Sequence, residues 1–270
     1  MSGEHYIGVG CVEAQWLPYA VLRHSIVKHA RQPVLVEPLY KAGIEIPVPR
    51  EEHNRQKTPF SFQRFLIPEA RSYSGLAMYL DSDMLVFQDI TRLFQQPFAQ
   101  SNVLAVPNET SVMVLDCEHL DWNIRQIVSD LDQGKLSYDG LMTCRSVAKV
   151  GYSLSQGWNW LDNSPSSMPS KVALLHYTVT SSQPWLSSGH PYGHLWLNEL
   201  FEALDDGSIQ RSEVEESVKR RVVRPSLLYQ IDNRLTKKAE IPKDVLKEDE
   251  PFAEYCRSVR YSISKTAADK

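Results

Sequence analysis

Asp81 and Asp83 stand two residues apart at the end of an apolar run, Gly75-Leu-Ala-Met-Tyr-Leu80. Two carboxylates cannot both enter a core without partners, because isolated buried charge is very costly. The run reads as a β-strand buried on both faces. The pair therefore falls at a strand's carboxyl end, where open α/β sheets bind ligands. Paired hard oxygens there suit Mg2+ or Mn2+ bridging a diphosphate. A turn carrying two solvated aspartates is the plain alternative, and the buried strand that delivers them is what argues against it. A second apolar run, Val172-Ala-Leu-Leu175, ends in His176. If both segments finish at one rim of the sheet, His176 supplies a third ligand, and its imidazole tilts the choice toward manganese. Taken alone, such a histidine reads as a hydrogen-bonded structural residue.

The elements that must position these groups follow a Rossmann-like order. Tyr6 to Gly10 is a short strand, Leu17 to Ala30 a helix with Leu17, Ala20, Val21, Ser25, Ile26 and Val27 on one broad face, and Pro33 to Glu37 a second strand. Pro18 suits the helix's first turn, where a missing N–H costs nothing. Lys41 to Lys57 is a polar loop, and Thr58-Pro59 predicts a capped helix running to about Tyr73. Further strands are expected at Val103 to Val106 and Val112 to Leu115, with helices at Leu120 to Leu131 and Tyr138 to Val147. Gly151 to Ser170 is a long decorated loop, Lys171 to Tyr177 a buried strand, and His190 to Leu204 an aromatic-rich helix. The expected class is α/β, a mixed but mostly parallel sheet flanked by helices. Residues 1–204 form the main domain, and 205–270 a charged, partly helical C-terminal extension.

Composition removes several classes of function. A hydrophobic fraction of 42% and a charged fraction of 23% over 270 residues are ordinary for a globular chain. The formal net charge of −4 argues against a general nucleic-acid binder. The four cysteines, Cys11, Cys117, Cys144 and Cys256, are unclustered and read as reduced thiols rather than a disulfide or zinc framework. Met1 to Val9 lacks the pattern of a signal peptide, and no apolar stretch is long enough to span a bilayer, so a cytoplasmic protein is expected.

Five segments then fall in a fixed order: Phe60-Ser-Phe-Gln-Arg-Phe65, Tyr79-Leu-Asp-Ser-Asp-Met-Leu85, Thr110-Ser-Val-Met-Val-Leu-Asp116, Trp158-Asn159-Trp160, and Leu175-His-Tyr177 through Gln183-Pro-Trp185. In that order, between Tyr6 and about Leu204, the chain resembles the family 8 glycosyltransferases of the GT-A type, bacterial members in particular. The resemblance implies a GT-A fold, Mn2+ (with Mg2+ as the substitute), a UDP-sugar donor and transfer with retention. The acceptor is open: a glycan, a protein or a small molecule. Carried across, Asp83 and His176 become metal ligands, and Asp81 contacts the ribose and the metal. Arg64 faces the donor, Gly8 and Val9 place backbone beside the base, and Ser111 and Asn159 join the donor-binding set. Asp139, in Tyr138-Asp139 where relatives have an Asp-Gln pair, and Gln183 take the catalytic roles. The chain departs from the pattern at Gln183, where many relatives have lysine, and at Glu109-Thr110-Ser111, where they have Asn-Ser-Gly.

Two rivals stand beside this reading. A haloacid-dehalogenase-like phosphatase also uses Asp-x-Asp after an apolar strand, although there the motif belongs on the first strand. A catalytically weak nucleotide-sugar or glycan-binding module is the non-enzymatic rival, favoured by the neutral Gln183. Asp139 also fits a solvated carboxylate at a helix start. Trp158, Trp160, Trp185, Tyr192 and Trp196 fit either an acceptor surface or hydrophobic core. His190 and His194, four apart, read as surface or acceptor-side residues.

Overall fold

The computed structural model describes residues 4–268, with side chains described to residue 259. Met1 to Gly3, part of the segment read as lacking a signal peptide, lie outside the described residues. The chain divides into two compact units, one ending at His176 and one beginning at Tyr177.

The first unit opens with β1 (His5–Gly10), α1 (Trp16–His29) and β2 (Val34–Pro38). After a long loop come α2 (Ile67–Ala70), β3 (Leu76–Asp81), β4 (Met84–Val86), β5 (Val103–Val106) and β6 (Glu109–Asp116). Then follow α3 (Ile124–Asp132), α4 (Tyr138–Met142), β7 (Val150–Gly151), β8 (Trp160–Leu161) and β9 (Leu174–His176). Six strands form the main sheet in the order β2-β1-β3-β6-β5-β7. The β1/β2, β1/β3 and β5/β7 pairs are parallel, whereas β6 runs antiparallel to both β3 and β5.

Both faces of this sheet are covered, which is why its strands read as unbroken apolar runs. Because strand side chains alternate, Tyr6, Ala77, Tyr79, Met113 and Leu115 share one face and pack with Phe62, Phe65, Trp122 and the helix α3. Ile7, Val9, Met78, Leu80, Val112 and Val114 share the other and pack with Tyr19, Leu22 and Ile26 of α1.

The helix expected from Thr58 to Tyr73 does not form. In its place stand turns, a 3-10 segment at Gln63–Leu66 and the single turn α2. The local reason is legible. Phe60, Phe62, Phe65, Leu66 and Ile67 are all buried, so no polar stripe remains for a helix to show to solvent. The Ser61 carbonyl accepts from Arg64 Nε at 3.1 Å, and Pro68 lacks an N–H to continue the ladder. The expected helices at Leu120 and Tyr138 are shorter than predicted, and the Gly151 to Ser170 loop contains the short strand β8.

The larger correction concerns Lys171 to Tyr177. Only Leu174–His176 is strand, and it does not join the main sheet. It lies in a separate three-stranded sheet of order β4-β9-β8, with Met84 opposite His176 and Leu161 opposite His176 on the other side.

The second unit holds the helices α5 (Gly193–Asp205), α6 (Arg211–Lys219), α7 (Ser226–Asn233), α8 (Lys243–Lys247) and α9 (Asp249–Ala268). Its organising side chain is Arg224, wholly buried. Arg224 donates from Nε to Pro184 O at 2.9 Å and from its terminal nitrogens to Ser226 Oγ and Gln230 Oε1. Burial depresses its pKa to about 10, with Asp249 opposing. Trp185 and Trp196, expected as either acceptor surface or core, pack together at 5.6 Å and are buried. His190 is also buried, stacked edge-on against Tyr177, and precedes α5 instead of sharing a helix face with the exposed His194. No helix among the described residues is long and apolar enough to cross a membrane.

Candidate metal centre

Asp81, Asp83 and His176 come together, each with a ligand atom within 4.8 Å of the others'. The route differs from the expected one. Asp81 ends β3 of the main sheet, and the chain then turns through Ser82 and Asp83 straight into β4. Antiparallel pairing of β4 with β9 places Met84 across from His176 and so sets Asp83 beside the imidazole. Ser25 of α1 fixes β4 from behind, its hydroxyl accepting from Val86 N at 3.1 Å.

Asp81 is held from the side of its own strand. Residues 79 and 81 share a face of β3, and the Tyr79 hydroxyl donates to Asp81 Oδ1 at 2.6 Å. Gly10, paired with Asp81 on β1, makes room for that hydroxyl: a Cβ there would lie 2.3 Å from Tyr79 Oη. Arg64 lies over the Tyr79 ring with its guanidinium carbon 4.8 Å from the centroid, and its Nη2 is 4.0 Å from Asp81 Oδ1. Arg64 Nη1 donates to Thr110 O at 3.1 Å and Thr110 Oγ1 at 2.9 Å, so much of its fork serves protein acceptors. Burial pushes the Asp81 carboxyl above the ordinary carboxylate range, with Arg64 pulling against it and Asp83 adding to it.

His176 is held by two acceptors. Its Nδ1 is 3.0 Å from Asn159 Oδ1, and Asn159 Nδ2 donates to Ser111 Oγ at 3.0 Å. Its Nε2 lies 3.2 Å from Asp83 Oδ1. An imidazole between two oxygen acceptors wants positive charge on the ring or beyond it. Burial pulls the His176 pKa down, but Asp83, then Asp81 and Glu109, outweigh burial and raise it. A divalent cation at Nε2 would satisfy the same demand as that proton. Two carboxylates and one imidazole whose far nitrogen is anchored by an amide oxygen form a donor set that fits Mn2+ or a similar ion.

The other expected residues are dispersed. Ser111 and Asn159, expected at the donor, form the hydrogen-bonded chain behind His176. Gly8 and Val9 are buried in the middle of β1, where a Cβ on Gly8 would come within 2.8 Å of Leu39. Asp139 is exposed in the first turn of α4, 3.7 Å from Lys57 Nζ. Gln183 lies in the second unit, where its amide donates to Tyr177 O at 2.8 Å. Tyr79, Gly10, Thr110 and Ser25 were not singled out as site residues. Only the period-two spacing of Tyr79 and Asp81 gave a signal for any of them.

No protein-family model matches the chain. Protein CDI of Arabidopsis thaliana is 26% identical over 231 residues, covering 73% of this chain and 86% of that protein. Among solved structures, the glycosyltransferase GlyE of Streptococcus pneumoniae matches with a TM-score of 0.54 at 15% identity, covering 82% of this chain and 64% of its own. The bifunctional glycosyltransferase WbbM matches with a TM-score of 0.52 at 12% identity, covering 74% of this chain and 50% of its own. The chain thus spans half of WbbM and somewhat less than two thirds of GlyE. Both are glycosyltransferases, and at these identities the likeness shows the fold alone: the chain has the mixed, mostly parallel α/β fold of GT-A glycosyltransferase structures.

Proposed function

We propose that this protein is a metal-dependent glycosyltransferase that takes a sugar from a UDP-sugar and passes it, with retention, to an acceptor hydroxyl. The observation that carries the reading is the convergence of Asp81, Asp83 and His176 within a GT-A fold. Bound there, Mn2+ would neutralise charge on the leaving diphosphate. Asp83 and His176 are the proposed first ligands, and Asp81 the one shared with the ribose. The chain's own residues hold this set still. Tyr79 orients one Asp81 oxygen, and Asn159 holds the His176 ring through Nδ1, so that Nε2 faces Asp83. Arg64 adds positive charge next to Asp81 and, in this reading, acts on the donor through that carboxylate as much as by direct contact.

In transfer, the acceptor oxygen bonds to the anomeric carbon as that carbon's bond to the diphosphate oxygen breaks. The bonding pair stays on the diphosphate, which also receives the hydroxyl proton. Asp139 and Gln183 are proposed to orient the sugars, Gly8 and Val9 to adjoin the base, and Ser111 and Asn159 to border the donor. We assign the transfer to residues 1–204, the extension to 205–270, and the protein to the cytoplasm. A screen of nucleotide sugars by thermal shift, with and without manganese and followed by donor hydrolysis, tests the reading. A manganese-dependent rise in melting temperature with UDP-sugars is expected. No shift and no turnover with any nucleotide sugar would sink it.

A further inference from the structure

Beside the metal centre, within the first unit, lies a cavity of about 570 Å3 between the tip of the β5–β6 hairpin and the segment from Gln156 to Val172. That volume falls in the range of about 300–1,000 Å3 usual for small-molecule sites. The hairpin tip is set by Asn108, which takes a left-handed φ of 62°, a conformation asparagine tolerates. The turn delivers Glu109 to the cavity wall at the start of β6. Asn159 lines the same cavity and is the residue that holds His176, so cavity and metal centre share a wall.

The chemistry of the lining selects among ligands. Its one cation among the described lining residues is Lys171 and its one anion Glu109, so the lining has no net positive charge to attract a diphosphate. A wholly apolar chain would leave the amides and hydroxyls of Gln156, Asn163, Ser164 and Ser166 without hydrogen-bond partners to replace their water. What remains well matched is a neutral ligand rich in hydroxyls that also has an apolar ring face. Trp160 supplies a broad aromatic surface for that face, and Pro107 and Pro165 are also in the lining.

Building on the transferase reading, we infer that this cavity holds the acceptor, a neutral saccharide, with a sugar ring against Trp160 and hydroxyls on Glu109 and Asn163. Glu109 lines the cavity, and its carboxylate is a strong acceptor for a sugar hydroxyl.

The test is binding of lactose, maltose and cellobiose, and of octyl lactoside, to the full chain by ligand-observed NMR, without nucleotide or metal. Saturable binding of at least one disaccharide is expected. Asn163→Trp, at an exposed position, should fill the cavity mouth and weaken that binding about tenfold or more, and Glu109→Gln should weaken it less. Asp83→Ala should bind saccharide as the parent does. Preference for octyl lactoside over lactose would mark an acceptor carried on an aglycone, and equal binding a free saccharide; both fit the inference. Absence of binding to every disaccharide, or undiminished binding by an Asn163→Trp protein with a normal melting transition, would overturn it. A protein that hydrolyses a nucleotide sugar yet ignores saccharides defeats this inference alone. One that binds saccharide here but no nucleotide sugar defeats the transferase reading alone.

Discussion

Asp81 hangs from a six-stranded sheet packed on both faces, whereas His176 hangs from a sheet of three short strands, and the two supports hold their side chains differently. The Asp81 support is local and dense: Tyr79 two residues away, Gly10 on the next strand, and Arg64 stacked on Tyr79. The His176 support is a relay of distant residues, Ser111 to Asn159 to the imidazole, backed by short ladders to β4 and β8. The contrast teaches that one side of the centre is rigid because the core is, and the other because a few hydrogen bonds are.

The comparison can be broken at its strongest joint first. Asp83→Ala removes the carboxylate that faces both partners, and manganese affinity by calorimetry should fall by about a hundredfold or more while the melting transition stays cooperative. Unchanged affinity would remove Asp83 from the ligand set. Next in size, Asn159→Ala should cost about ten- to a hundredfold in metal affinity by freeing the His176 ring. A smaller loss than this from Tyr79→Phe would confirm that the relay side is the more easily loosened, and an equal or larger one would erase the contrast. Stability should move the other way: Tyr79→Phe leaves a buried carboxylate short of a donor, a cost of about 1.5–3 kcal/mol in denaturant titration.

The pH response sharpens the same contrast. The folded-state pKa of His176 is raised, so it contributes stability that is fully present below the ordinary histidine value of about 6.5 and lost as pH rises through its higher folded value. Asp81, also raised, acts in the same direction at lower pH. The metal-free protein should therefore lose melting temperature as pH climbs above 6.5. Stabilisation by manganese should grow over that window, since metal binding needs the ring deprotonated. His176→Asn should flatten the metal-free slope; an unaltered slope would place the titration elsewhere. The smallest effect on stability is expected from Asp139→Ala, within about 0.5 kcal/mol because the side chain is exposed. A drop in turnover without that stability loss would assign Asp139 to the sugars.

Much of the strand framework was legible. Periodicity found β1, β3, β5 and the core of β6, because runs buried on two faces must be apolar throughout, and it found the edge strand β2 from its Val-Leu-Val run although Leu35 and Glu37 are exposed. It failed on Thr58 to Tyr73, where apolar residues on every side suit a helix, a 3-10 turn or coil equally. It also could not say which sheet the strand ending in His176 would join, since three residues carry no mark of their partner.

Sequence by itself determined that Asp81 would close a buried strand with Asp83 just beyond it, and that a second apolar run would end in His176. Those are properties of residue type and of neighbours within a few positions. Only the tertiary structure decided that β4 would pair with β9, that Asn159 would reach both Ser111 and His176, and that Gly10 would admit the Tyr79 hydroxyl. Each joins segments tens of residues apart. Such contacts arise from the packing of whole elements, which no single stretch of sequence encodes.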